Sequence, residues 1–452
     1  MKRFASIFFV ACLSVSHLFS QSLFESALDS VSTDNGEGTS PISMNGYTRG
    51  SVFGGGKTYD LATTFAEFAL QTNLTKGKTL LNSDIRFRTG VFFNQNEQHV
   101  QFKELYAGYS DDIFSVMLGN QIVSWGRTDG FNPTNNITPN DYFFLTADPD
   151  DQKLSNFMLR SKIRASQFID IELIGIPFYI PSNYRYDLFD MGPNVTFGPG
   201  VYPEKKLKNG ALAGRVNFDL PQIGWSLSYF NGYDPYHGFD VQDVDFSTGN
   251  PILTNVAAAY RKQTIGADFA IPIQNFIIRG EMAYNITDNP DNKMYIPASD
   301  FSYVGGLETN LSGFTIIAQY IGKAVSDFKE LTVPVLADPT NPMAQMEYAG
   351  QMIDYENRLF NRKIFNQQEK TNHAASLTLT KSFGYDAWNA ELTAFHNFTS
   401  KESLIRPKLT WKINDSLATA IGGNYMKGED KTMFGYASKI MNGAFLELKA
   451  TF

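Results

Sequence analysis

The sequence predicts an all-β chain: a transmembrane antiparallel up-and-down β-barrel of about 18 strands, or about 16 if two segments belong to loops. Three observations predict it. A short apolar leader is followed by no further long apolar run, the rest alternates between apolar and polar residues, and its connections alternate between short and long.

The leader comes first. Lys2 and Arg3 precede an apolar stretch from Phe4 to Leu18, and Ser20 supplies a small residue for cleavage. This pattern reads as a secretory signal over 1–20, because the apolar run is too short to span a bilayer and polar chain comes after it. Residues 21–43 then form a short periplasmic segment, too short for the plug of an energy-coupled receptor, and 44–452 form the barrel. The one cysteine, Cys12, lies inside the leader, so the mature chain carries no thiol, disulfide or cysteine metal ligand. Phe9 and the apolar residues after Cys12 fit a lipoprotein processing site poorly. The net charge of -8 argues against nucleic acid as a partner. With no later stretch apolar enough for a transmembrane helix, a closed barrel is the remaining way to satisfy backbone polar groups in lipid.

Period-two alternation places strands near 44–54, 61–74, 78–93, 100–110, 113–122, 155–164, 168–177, 210–219 and 223–231. Further strands fall near 256–271, 275–286, 300–310, 313–322, 370–382, 386–397, 401–413, 416–426 and 443–452. Most have the roughly 9–11 residues that a tilted strand needs to cross a bilayer. Every second connection is very short, among them Thr75-Lys76-Gly77, Ala165-Ser166-Gln167 and Asn414-Asp415, whereas 123–154, 178–209, 232–255, 323–369 and 427–442 are long. Short turns on one side and long loops on the other are the layout of an outer-membrane barrel. The last strand alternates to a terminal Phe452, which resembles the assembly signal read by the barrel assembly machinery. A soluble sandwich or solenoid would also alternate but would not explain the loop lengths, and no fixed-period repeat is present. Aromatics near strand ends, namely Phe53, Phe92, Phe93, Tyr109, Tyr229, Phe230, Tyr233, Tyr284 and Tyr425, are expected in interfacial girdles.

Alternation also assigns faces. Ile85, Phe87 and Val91 face lipid, so Asn82, Asp84, Arg86 and Arg88 face the lumen. By the same rule Arg86, Arg88, Glu104, Arg160, Arg164, Arg215, Arg279 and Arg406 are pore-lining candidates, since a charge at the bilayer midplane costs roughly 2–4 kcal/mol. The tight turn at 165–167 should fold Lys162 against Asp170 and Arg160 against Glu172 as a cross-strand ladder. The inward charges have both signs, so they indicate no clear ion selectivity.

A barrel this wide leaves an aqueous passage unless loops fill it. Gly119-x-Gln121-x-x-x-Trp125-Gly126, followed by Asn132-Pro133 and Pro139-Asn140-Asp141, resembles the third hairpin of porin-like outer-membrane families, including alginate-export-type barrels. The resemblance covers roughly 30 residues and implies a channel whose third loop, 123–154, folds inward as a constriction. Trp125, Arg127 and Asp129 are the candidates for that constriction. The alternative is a surface loop with Trp125 at the interface. In 323–369, Asn341-Pro342 reads as a helix start, and Met343, Met346, Ala349, Met352 and Ile353 recur at helical spacing. That pattern predicts a short amphipathic helix in the mouth or on the surface.

Enzyme signals are weak. Gly54-Gly55-Gly56-Lys57-Thr58 lacks the first glycine of a nucleotide loop, Ser51 standing there, and sits in a strand hairpin. His373 and Ser376 face opposite ways on a strand, and His396 and Ser400 lie about 13 Å apart along one. Acidic loops at Asp148, Asp150 and Asp151, at Asp240, Asp243 and Asp245, and at Asp288 and Asp291 lack a calcium-loop spacing and read as solvated. The expectation is therefore a porin in a bacterial outer membrane, without catalytic residues, metal or cofactor. It would pass small polar solutes by diffusion, as a monomer or homotrimer in outer-membrane lipid. The alternatives are a transporter of hydrophobic compounds, or a surface barrel acting as an adhesin through its loops.

Overall fold

A strand between two media must alternate, and a sheet in hydrocarbon must have no free edge. Both demands are met in the structure, a computed structural model that describes residues 42–55, 60–245, 247 and 251–452. The signal segment and nearly all of 21–43 lie outside the described residues, as do 56–59 of the Gly54–Thr58 turn.

Eighteen strands form one closed antiparallel sheet. The first half comprises β1 (Ile42–Gly55), β2 (Asp60–Lys76), β3 (Thr79–Phe92), β4 (Gln95–Ser110), β5 (Phe114–Gln121), β6 (Asn156–Ser166), β7 (Ile169–Ile176), β9 (Ala211–Leu220) and β10 (Ile223–Tyr233). The second half comprises β13 (Arg261–Ile273), β14 (Phe276–Thr287), β15 (Asp300–Leu311), β16 (Phe314–Val325), β17 (Thr371–Phe383), β18 (Trp388–Asn397), β19 (Glu402–Asn414), β20 (Leu417–Lys427) and β21 (Gly443–Thr451). The seam pairs β1 with β21 from Tyr47↔Thr451 to Gly55↔Gly443. Phe452 continues it, exchanging backbone hydrogen bonds of 2.9 Å with Gly46 in both directions. Its ring stacks on Phe68 at 5.8 Å and covers Gly46, where a Cβ would meet that ring at 2.5 Å. The terminal phenylalanine therefore closes the barrel on the lipid side.

The outer face is apolar along the whole circumference. Phe87, Val100, Leu173, Leu227, Ile265, Leu307, Leu392 and Leu446 are all exposed there. Tyr109, Tyr229, Tyr284 and Tyr425 are exposed on the same face. Phe53, Phe92 and Phe230, expected in the girdles, instead point inward and are buried. Phe53 stacks on Phe445 at 4.8 Å, and Phe92 stacks on Phe65 at 5.6 Å. The reason is that the third loop fills this part of the lumen and makes an apolar core for them.

One predicted strand, 256–271, divides. Residues 261–273 belong to the barrel, whereas 256–258 end β12 (Ile252–Ala258), which lies in a separate three-stranded sheet with β8 (Val195–Val201) and β11 (Gly238–Asp245). The alternation runs through both pieces, so period alone does not mark the break at Tyr260. That side chain is buried and donates its hydroxyl to Asp234 at 2.7 Å. The long loops also carry two helices, α1 (Pro342–Ile364) and α2 (Met433–Met441). Asn341 caps α1 as read from the sequence, accepting from the Met343 amide at 2.9 Å. The helix is 23 residues long, not short, and Met343 and Met346 are exposed. Its buried side is the C-terminal Asn357, Phe360, Asn361 and Ile364. The loop sheet and both helices pack together around Tyr186, Phe239, Phe360 and Tyr436 on the long-loop side of the barrel.

The two faces of β18 give a direct test. Leu392→Arg, on the lipid side, should destabilise the barrel by roughly 2–4 kcal/mol in denaturant titrations in phospholipid vesicles. Thr393→Arg, one residue on and inward, should cost far less. Equal losses at both positions would contradict the assigned faces.

Candidate functional site: the inward-folded third loop

The connection between β5 and β6, residues 122–155, does not stand out from the barrel. It enters the lumen and is tied to inward side chains around most of the wall. Trp125 is 2% exposed, packs with Val123, Ile137, Met158 and Phe230, and donates its indole N–H to Glu172 on β7 at 3.0 Å. Thr138 cross-links the loop to itself, bonding both backbone groups of Val123.

Gly126 explains the Trp-Gly pair of the sequence. Its φ is +109°, and a Cβ there would come within 2.4 Å of the Glu281 carboxylate. Glycine is the residue that tolerates both conditions. Glu281, on β14, uses this close approach to accept from the amides of Arg127, Thr128 and Thr134 and from both threonine hydroxyls, at 2.7–3.4 Å. Arg127 then reaches the wall, with Nε on Asp268 at 2.8 Å and Nη2 on Asn217 at 2.6 Å and Asp219 at 2.8 Å. Asp129 lies 3.8 Å from Arg279, which also holds Glu308 and the Arg127 carbonyl. Burial pushes the Asp129 carboxyl above its ordinary range, against the pull of Arg279. The loop tip reaches the far wall, where Phe131 stacks on Phe395 of β18 at 5.2 Å.

The returning half is held by ion pairs. Asp151 lies 2.6 Å from Arg49 and 2.7 Å from Arg86, and those guanidinium groups hold its carboxyl well below the usual range despite burial. Arg49 and Arg88 share Glu67 at 2.7 and 2.5 Å, and Arg88 lies over the Phe144 ring at 3.7 Å. Lys103 donates to the backbone carbonyls of Asp151 and Lys153. Arg406 donates to the carbonyls of Thr146 and Ala147.

The pore-lining candidates thus have distinct situations. Arg86 and Arg88 face inward but are 6% exposed, covered by the third loop. Glu104 accepts from the Ile122 amide at 3.0 Å, and Arg160 pairs with Glu172. Lys162 meets Asp170 at 3.2 Å, so both expected pairs form, but diagonally: the register sets Lys162 opposite Glu172 and Arg164 opposite Asp170, with Arg164 3.7 Å from that carboxylate and about half exposed. Arg215 bonds Ser226 and Asp268. Beside the loop, Arg127, Asp129, Arg279 and Glu308 are left partly open, as are Lys408 and Glu391, 3.1 Å apart on β19 and β18. Of the acidic residues read as solvated, Asp148 and Asp150 are exposed, whereas Asp151 is turned onto Arg49 and Arg86 and anchors the loop.

Sequence reasoning missed Arg49, Lys103, Phe131, Asp151 and Glu281 as loop anchors. For Lys103 a signal exists. Two charged residues in succession, Lys103-Glu104, stand between Phe102 and Leu105, and the structure has a β-bulge there: Asp84 pairs with Glu104, but Ile85 pairs with Phe102. The bulge turns both charges inward and leaves Phe102 and Leu105 exposed to lipid.

Above the loop, between it and the two helices, lies a cavity of about 710 Å³. Among the described residues no group of His, Cys, Asp and Glu is arranged to hold a metal. His396 Nδ1 meets Ser403 Oγ at 2.8 Å, but the imidazole is exposed on the outer face, away from the lumen.

Asp151→Asn should free the returning half of the loop, because breaking a buried pair costs about 3–5 kcal/mol. The pH dependence has a definite sign. Asp151 has a depressed folded value, so its contribution is complete above about pH 4 and is lost as pH falls through that depressed value. Channel recordings of the wild type should therefore keep one noise level from pH 7 to pH 4, and the variant should be noisier at pH 7. Identical traces would mean that Asp151 does not hold the loop.

No protein-family model matches the sequence, and no curated protein matches it. Solved structures do. OccAB3 of Acinetobacter baumannii is similar at 10% identity, with 91% of this chain and 99% of that one covered and a TM-score of 0.53. OccK5 (OpdH) of Pseudomonas aeruginosa matches at 11% identity, 91% and 97% coverage and a TM-score of 0.51. The P. aeruginosa outer membrane protein OpdK matches at 8%, with 91% and 98% covered and a TM-score of 0.51. Nearly end-to-end coverage at such low identity is a likeness of architecture, and by that measure this chain has the fold of an outer-membrane porin.

Proposed function

We propose that the protein is a bacterial outer-membrane porin through which small polar solutes diffuse passively, with the third loop as its constriction. One observation carries this reading. The third loop crosses the lumen to stack Phe131 on Phe395, and beside it Arg127, Asp129, Arg279 and Glu308 remain partly exposed. A loop pinned at both ends narrows an 18-stranded barrel, and on this reading an aqueous gap remains beside its charged flank. The groups at the narrowing have both signs and hold one another, so they offer polar contacts to a solute without a strong net field. Passage needs no energy-coupling group in this scheme, because the geometry is fixed and the gradient drives transport.

Purified protein in a planar bilayer should give stable open steps; silence would favour the hydrophobic-compound or adhesin readings. Arg127→Ala removes three side-chain bonds at the narrowing and should change conductance or ion preference. An unaltered channel would place the rate-limiting narrowing elsewhere. Because burial raises the Asp129 carboxyl, acidification should neutralise it at a pH above the ordinary carboxylate value of about 4. Anion preference should rise in that interval, since Arg127 and Arg279 stay charged, and Asp129→Asn should abolish the change.

A further inference from the structure

The cavity on the long-loop side of the constriction is walled by the loop ends of β13 to β20, floored by the third loop and roofed by α1 and α2. Its volume of about 710 Å³ lies within the roughly 300–1,000 Å³ of small-molecule sites. The chemistry of its wall narrows what it takes.

Two of its four cations are paired with carboxylates, and Lys363 and Arg406 complete a wall of four cations and three carboxylates, Asp234, Asp300 and Glu402. Lys262 lies 2.7 Å from Asp234 and Lys323 lies 3.2 Å from Asp300. Glu402 accepts from the Ser400 hydroxyl at 2.5 Å and the Phe434 amide at 2.6 Å, and Arg406 is occupied with third-loop carbonyls. Among the described residues a cation would find no free carboxylate there, and an anion would have only Lys363 and the Arg406 Nε to meet it, since the other charges are engaged and breaking a pair is costly in a partly dry cavity.

Neutral polar groups are plentiful by contrast. Asn132, Asn135, Asn140 and Asn424 line the space with amides that can both donate and accept, whereas the Asn285 and Asn397 amides are already bonded within the wall. Four lining groups, the Asn135 side-chain oxygen, the Tyr184 and Tyr186 hydroxyls and the Arg406 Nε, are buried without a hydrogen-bond partner among the described residues. Such groups are normally satisfied, so they point to a polar occupant. Ring faces complete the wall: Tyr142, 37% exposed, stacks on Tyr184 at 4.6 Å, and Tyr236 closes the same corner edge-on. Phe131, also 37% exposed, lies across the cavity floor at the loop tip.

A solute that uses flat apolar rings and amides together, and carries no charge, is a pyranose sugar. Its axial C–H face packs on an aromatic ring while its hydroxyls donate and accept around the edge. We infer that this vestibule is a binding site for neutral saccharides of two to three rings, positioned above the constriction. The onward passage of a bound sugar rests on the porin reading; its binding does not.

The test is calorimetric titration of the full barrel in an amine-oxide detergent, which has no sugar headgroup, with maltotriose, cellobiose and sucrose, and with succinate and glutamate for comparison. At least one neutral sugar should bind more tightly than either carboxylate. Tyr142→Ala should weaken that binding about tenfold, and Tyr142→Phe should retain it. Folding of each variant is checked by heat-modifiable migration. Absence of sugar binding to the folded barrel, tighter binding of the carboxylates, or full affinity in Tyr142→Ala would overturn the inference. Planar-bilayer recording separates the two readings: open steps without sugar binding refute the saccharide site alone, and sugar binding without open steps refutes conduction alone.

Discussion

The structure depends on one constraint: hydrocarbon offers no hydrogen bonds, so every backbone group at membrane depth must find its partner within the sheet. Closing β1 on β21, with Phe452 completing the seam, meets that constraint. Once the sheet is closed, the period of two leaves no choice about side chains. Apolar residues take the lipid face and the charges at membrane depth are delivered to the lumen, while outer-face charges such as Arg261 and Lys381 stand at strand ends. The contents of the lumen are thus a consequence of the outer surface, before any solute is considered.

A lumen filled this way has its own electrostatic problem. Arginines and carboxylates brought close together and partly shielded from water are tolerated when they are paired and hydrogen-bonded. The third loop supplies the missing partners. Asp151 stands between Arg49 and Arg86, the loop carbonyls take Lys103 and Arg406, and the loop amides satisfy Glu281. Each tie neutralises a wall group and fixes the loop at once, so narrowing and stability come from the same contacts. Gly126 is where this arrangement is tightest, because the Glu281 carboxylate occupies the space of a side chain.

The strands were legible because alternation is local: each needs only its own residues to declare its faces, and all eighteen barrel strands overlap segments read from the sequence. The third loop was legible as a loop, through Trp125-Gly126 and the prolines. Its landing points were not, because Thr134 and Glu281 are 147 residues apart and nothing in either neighbourhood names the other. Phe53, Phe92 and Phe230 were misplaced for the same reason. Their inward burial depends on a loop from elsewhere in the chain, whereas an aromatic at a strand end reads alike on either face. The strand over 256–271 failed differently: two true strands with matching period lie end to end, and the boundary is set by the Tyr260 contact with Asp234.

The two sides of the third loop differ in their chemistry, which on the porin reading bears on passage. On the long-loop side Lys262 and Lys323 are paired with Asp234 and Asp300, and much of the remaining wall is amide, hydroxyl and aromatic ring. On the short-turn side the ladder of Lys162, Arg164 and Asp170 retains more solvent access, and Asp219 reaches water while holding Arg127. A solute arriving from the long-loop side is therefore met first by shape and hydrogen bonding and only afterwards by charge. Desolvation enforces that order. A solute that cannot replace its water with contacts in the vestibule would gain little from the charges beyond it. On the porin reading, selection would then be governed by what the loops enclose, with the ionic wall holding the third loop in place.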